Sequence, residues 1–162
     1  MVSLAVLALG ALVLFSGGFF SKRRFGLMGL ALAAGSVLAG LWSDTVAMMV
    51  ELVGIVPNGA ASHFIAVLIL TLLPSVLFFF HAGYVYKSLT GRIIGATLFT
   101  VVAFGFLADS VHEAIALDGI GAQVVAWVRS YDEIIVGAGV MAAVLDILIS
   151  KAAKSIGKKS RH

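Results

Sequence analysis

Asp109, His112 and Glu113 stand at i, i+3 and i+4, so a helix running through them carries all three on one face. A histidine flanked by two carboxylates is a donor set for a divalent metal or a proton relay. Zinc, however, ordinarily takes three or four protein ligands, and the second histidine of a His-Glu-x-x-His site is missing. Asp118, Glu51 or His63 can complete a metal site only if the fold brings them to the same side. The plainer reading is a solvated polar end of a membrane helix, and it is the favoured one.

Asp146 is the other candidate, the one acidic residue inside a long apolar run. A carboxylate at membrane depth is a functional hypothesis by default, because its desolvation must be compensated. It sits about one turn before Lys151, close enough for the side chain to reach the interface. Interfacial snorkelling is therefore the favoured expectation, and proton or ion coupling the alternative. His63 and His81 flank an apolar run and are expected to hydrogen-bond near the two interfaces. No Gly-rich phosphate loop, Ser-His-Asp arrangement or Cys-His motif is present. Neither an enzyme nor a cofactor is expected.

The elements that must position these residues follow from composition. Of 162 residues, 61% are hydrophobic and 12% charged, and the mean hydropathy is +1.12. A soluble domain carries about 25% charged residues. Half that charge cannot cover a water-facing surface, so a soluble fold is excluded. With no cysteine, disulfides and thiolate sites are excluded too.

A helical span needs about 20 residues. Apolar runs bounded by charge predict five, over Val2–Phe20, Phe25–Trp42, Ala60–Tyr86, Ile93–Ala108 and Ile134–Ser150. The basic cluster follows the first run instead of preceding it, which predicts a retained span over a signal peptide. Five spans with the N-terminus outside place ten of the eleven Lys and Arg in the cytoplasm, with Arg129 outside. The expectation is one all-α transmembrane bundle over residues 1–150 with a basic cytoplasmic tail over 151–162, in a plasma or inner membrane. The tail holds five Lys and Arg. Lys154, Lys158, Lys159 and Arg161 are its expected contacts with an anionic leaflet, worth roughly 1 kcal/mol each. It lacks the folded basic face or aromatic partners that nucleic acid needs.

Both outer connections are unusually apolar. Thr45–Ser62 and His112–Arg129 are expected to form re-entrant or interfacial segments capping the bundle, with Trp127 as a headgroup-level anchor. Small residues predict where helices approach closely: Gly26, Gly29, Ala33 and Gly40 in the second span, Gly137 and Gly139 in the fifth. The third span is bulky all round and reads as peripheral and lipid-facing. Pro74 is expected to kink it, with Thr71 or Ser75 re-satisfying the freed carbonyls. Spans one, two and five, with four beside them, are the expected close-packed centre. The same small-residue faces also suit self-association or contact with other membrane subunits.

Two stretches carry a family resemblance. Ser21-Lys22-Arg23-Arg24-Phe25-Gly26-Leu27-Met28-Gly29 resembles the basic, Gly-containing turn into the second helix of the colicin V production protein family. Thr90-Gly91-Arg92-Ile93-Ile94-Gly95 is similar to that family's Asp-Arg-x-x-Gly segment, with Gly91 where the Asp stands. The resemblance implies a small inner-membrane protein linked to secretion and envelope homeostasis, with no catalytic residues to transfer. The expected function is thus a non-enzymatic membrane subunit assisting transport or secretion, or assembling with a larger partner. The alternative is a small coupled transporter using Asp146 and the Asp109/His112/Glu113 face.

Overall fold

Each apolar run forms a helix, although the third, expected to reach Tyr86, has Val85 and Tyr86 outside its helix: α1 (Val2–Ser21), α2 (Phe25–Val53), α3 (Ala60–Phe80), α4 (Leu89–Ala114), α5 (Gly119–Ser130) and α6 (Asp132–Lys159). The structure, a computed structural model, describes residues 2–159 except 55, 57, 58, 81–84, 87, 116 and 118. Side chains at 2, 3, 79, 80 and 150–159 also fall outside the described set. Among the described residues there is no strand, only an isolated bridge between Arg23 and Val85. Among the described residues four stretches, Leu4–Ser21, Phe25–Val53, Ala60–Phe78 and Leu89–Ala114, are long and apolar enough to cross a membrane. The fold is an all-α bundle of membrane type.

The first expected outer connection is not a separate element. α2 continues unbroken from Phe25 through Val53, because 43–53 contains no Gly or Pro to stop it. Gly54 ends it in the left-handed conformation (φ 72°), donating its N–H to the Glu51 carbonyl at 2.9 Å. Twenty-nine residues span about 43 Å, against a hydrocarbon core of about 30 Å. The last turns, with Met48, Met49 and Leu52 exposed, therefore extend past the core unless the helix tilts. The second connection does contain a separate helix. α5, at 12 residues, is too short to cross, and it packs on α4 and α1 with Gly121 and Val125 buried.

The close-packed centre also differs from expectation. α2 and α4 form it, and both are lined by small buried residues. α1 packs mainly on α4. Gly18 lets it in, since a Cβ there would lie 3.2 Å from Ala96 Cα. α6 runs antiparallel to both central helices: Ile135 meets Gly105, Gly139 meets Val102, Ala143 meets Gly29 and Asp146 meets Gly26. α3 is lipid-facing on one side only. Its other side buries Ser62, Ala66, Leu70, Thr71 and Ser75 against α2 and α4. Among the described residues nothing lies within 4 Å of a Cβ at Gly40 or Gly137, so the expected close packing is not seen there. Ala33 is half-buried.

Pro74 stands inside α3 as expected, but its consequence is different. Ser75 does not turn back to its own helix; its hydroxyl donates to the Met28 carbonyl of α2 at 3.3 Å. Thr71 Oγ1 is buried without a hydrogen-bond partner among the described residues. The Leu70 carbonyl, which loses its helical donor to Pro74, faces Gly35. A Cβ at 35 would sit 2.8 Å from that oxygen and overlap the Thr71 carbonyl. Glycine is what allows the two backbones to touch there.

Candidate functional site

α2 begins without a cap of its own. Arg24 occupies the N-cap position in extended conformation, and its side chain makes no capping bond. The first N–H groups of a helix have no intrahelical acceptor, so they need partners from elsewhere. They find them on remote parts of the chain. Phe25 N–H donates to the Tyr86 hydroxyl at 3.3 Å, and Gly26 N–H donates to Asp146 Oδ2 at 3.0 Å. Arg24 Nη1 lies 3.9 Å from Asp146 Oδ1, and its guanidinium stands 5.6 Å from the centroid of the Tyr86 ring.

The local sequence explains how three segments converge. At Gly26 a Cβ would lie 2.6 Å from the Ala143 carbonyl, so only glycine admits α6 this closely. The Tyr86 ring lies on Gly91 and Gly95, one turn apart on α4, where Cβ atoms would come within 2.8 and 2.6 Å of it. Tyr86 N–H donates to the Lys22 carbonyl at 2.8 Å, clamping the α1–α2 turn to the α3–α4 connection. Burial pushes the Tyr86 hydroxyl above its ordinary pKa, and Asp146 adds to this through its charge and a side-chain hydrogen bond. The Phe25 N–H and the Arg24 charge oppose the rise without cancelling it. Beside this cluster, Arg92 stacks over Phe19 at 4.7 Å and donates from Nη2 to the Phe19 carbonyl at 3.4 Å.

Asp146 does not simply snorkel. Its side chain is 22% exposed and holds the N-terminus of α2, where a carboxylate also complements the helix dipole. The Asp109, His112 and Glu113 group fares differently. Asp109 Oδ1 pairs with Arg129 Nε at 2.6 Å, while His112 and Glu113 are exposed. Glu51 Oε1 instead accepts from Gly59 N–H at 3.0 Å and Ser62 Oγ at 2.7 Å. His63 Nε2 lies 3.8 Å from Asp44. Among the described residues no three His, Asp or Glu gather into a metal-binding group. Asp118, His81 and Arg161 lie outside the described residues, as do the side chains of Lys154, Lys158 and Lys159, although α6 continues through those lysines.

Two apolar grooves of about 370 Å³ each flank α1. One lies between α1, α4, α5 and the start of α6; the other between α1, α3 and α4. Leu7, Phe104 and Val111 line both and separate them. Sequence reasoning missed Arg24, Tyr86 and Arg129 as partners of the candidate carboxylates. One signal was available for Tyr86: Gly91 and Gly95, four apart, leave a flat patch on α4 that only a ring can fill. Comparison with protein-family models, with curated proteins and with solved structures gives no match.

Proposed function

We propose that this chain is a non-catalytic subunit of a plasma or inner membrane, with five spans, the N-terminus outside and the C-terminus inside. It assists transport or secretion, or assembles with a larger membrane partner. The observation that carries this reading is the engagement of Asp146. A carboxylate that holds the α2 N-terminus and faces Arg24 has a structural task, which weighs against the coupled-transporter alternative. Carrying a proton through that position would weaken the helix cap and the pairing with Arg24 at each cycle.

The fifth span is supported by the course of α6. It meets Gly105 near its start and Gly26 near Asp146, so it lies beside the central helices over most of their length. The orientation rests on the gathering of Lys22, Arg23, Arg24 and Arg92 at the end where α1 stops and α2 and α4 begin. The link to secretion rests on the resemblance of residues 21–29 and 90–95 to the colicin V production protein family.

Copurification in mild detergent, with identification of the companion, tests the subunit role; a partner is expected at constant stoichiometry. pH-dependent flux from the chain reconstituted alone would put the transporter in its place. Reporter fusions after Lys159 and within 119–130 should report opposite sides. Reports from one side refute the fifth span.

A further inference from the structure

The groove between α1, α4 and α5 is apolar along its length, with Thr100 the one polar side chain lining it. Its wall along α4 runs from Thr100 to Val111, about 16 Å at the helical rise. That matches the hydrocarbon depth of one leaflet, about 15 Å. An extended hydrocarbon chain matches the groove in length and in its apolar lining.

The groove also ends in charge. Ala108 and Val128 line it, and their sequence neighbours Asp109 and Arg129 form an ion pair with both side chains substantially exposed. Trp127, its ring tilted against that of Tyr131 with centroids 5.2 Å apart, stands at the same end, where aromatic residues settle at headgroup level. An exposed cation beside an exposed carboxylate complements a headgroup that carries both charges and has N–H donors: phosphate toward Arg129, primary amine toward Asp109. The second groove has no Asp, Glu, Lys or Arg among the residues lining it or next to them in sequence; His63 and His112 are its titratable neighbours.

We propose that the α1–α4–α5 groove holds one acyl chain of a phosphatidylethanolamine-type lipid, whose headgroup sits on the Asp109–Arg129 pair. The inference rests on the chain being membrane-embedded and is independent of any subunit role.

The test uses the full chain with Trp42→Phe, which leaves Trp127 as the single tryptophan. It is reconstituted in phosphatidylcholine vesicles containing a small fraction of phosphatidylethanolamine with brominated acyl chains. Trp127 quenching should exceed, several-fold, that from brominated phosphatidylcholine at the same fraction, and unlabelled phosphatidylethanolamine should reverse it. Ala8→Phe, or Ala11→Phe if the first fails to fold, fills the groove and should remove the preference. Ala5→Phe, on the same helix but lining neither groove, should leave it intact. Asp109→Asn with Arg129→Gln should keep the quenching but lose the preference between headgroups. Equal quenching by the two lipids overturns the proposal, as does a preference that survives groove filling. So does a dimer that Ala8→Phe dissociates without any lipid preference. Partner copurification is read separately, so failure of one reading does not hide the other.

Discussion

The two ends of the bundle solve the same problem, polar groups at the edge of an apolar core, in opposite ways. At the end bearing Lys22–Arg24, partners are far apart in sequence: Phe25 with Tyr86 at 61 positions, Gly26 with Asp146 at 120. At the other end they are local. Arg129 and Asp109 are 20 apart, Glu51 and Ser62 are 11 apart, and Asp44 and Asp109 are exposed. Long-range polar contacts arise where a helix terminus is buried and must find acceptors within the protein. Where termini reach water, short pairs suffice, and the surface between them is free for lipid or partners. The first end therefore fixes how the helices are arranged, and the second is where substitutions should be tolerated.

The largest expected effect comes from a single methyl at the first end. In Gly26→Ala the new Cβ meets the Ala143 carbonyl at 2.6 Å, and backbone cannot swing aside as a side chain can. Overpacking of this kind costs about 1–3 kcal/mol, and the parting of α2 from α6 would loosen the Asp146 bond as well. Reversible unfolding in mixed micelles measures it; an unchanged midpoint would falsify the close approach of the two helices.

Next in size is the cap. Asp146→Ala should cost about 1–2 kcal/mol, as for loss of an N-cap acceptor. Asp146→Asn, which keeps an oxygen facing Gly26, should cost less. A double-mutant cycle with Tyr86→Phe should show coupling of at least about 0.5 kcal/mol, because both groups serve adjacent N–H donors. Additivity would separate them into independent sites. Tyr86 should also ionise above the ordinary tyrosine value, read by ultraviolet absorbance in a Tyr84→Phe/Tyr131→Phe variant, where it is the one tyrosine left. Because the folded state raises its pKa, the stability it confers is complete below pH 10.0, the ordinary tyrosine value. That stability declines as pH rises through the higher folded value. Tyr86→Phe should flatten this part of the alkaline decline.

Much of this fold is legible in the sequence, for reasons visible in particular residues. The spans follow from apolar runs broken by charge, and Pro74 is readable as a special position. Asp44 looks like a membrane edge, yet α2 runs past it to Val53. Helix continuation depends on breakers, and none lies between Asp44 and Gly54. The candidate site was half legible. Asp146 stands out because a carboxylate in an apolar run demands compensation. Its partners do not stand out, since Gly26 N–H is a backbone group and Tyr86 is placed by two glycines on another helix. Nothing local in sequence marks contacts made across 120 positions.

At the second end the expected changes are small. Asp109→Asn should cost less than about 1 kcal/mol, as exposed ion pairs do, and added salt should mask most of it. A larger loss in unfolding experiments would mean that the Asp109–Arg129 bond anchors α5 to α4 and would erase the contrast between the ends.

The smallest effect is also the sharpest comparison, because it repeats the Gly26 substitution on the same helix. Gly40 lies about four turns further along α2, and a Cβ there meets nothing within 4 Å. With no contact to lose, Gly40→Ala should act only through backbone freedom. An interior helical glycine is less favourable than alanine by up to about 1 kcal/mol. The variant should therefore be unchanged or slightly more stable, opposite in sign to Gly26→Ala. That holds for the single chain. If Gly40 instead meets a second copy or another subunit, the methyl would wedge that contact apart. The monomer would then keep its unfolding midpoint while the assembly shifts to smaller species in detergent. Measuring midpoint and size on the same samples separates the two outcomes. A loss of midpoint in a purely monomeric sample contradicts both, since it requires a neighbour to Gly40 inside the molecule.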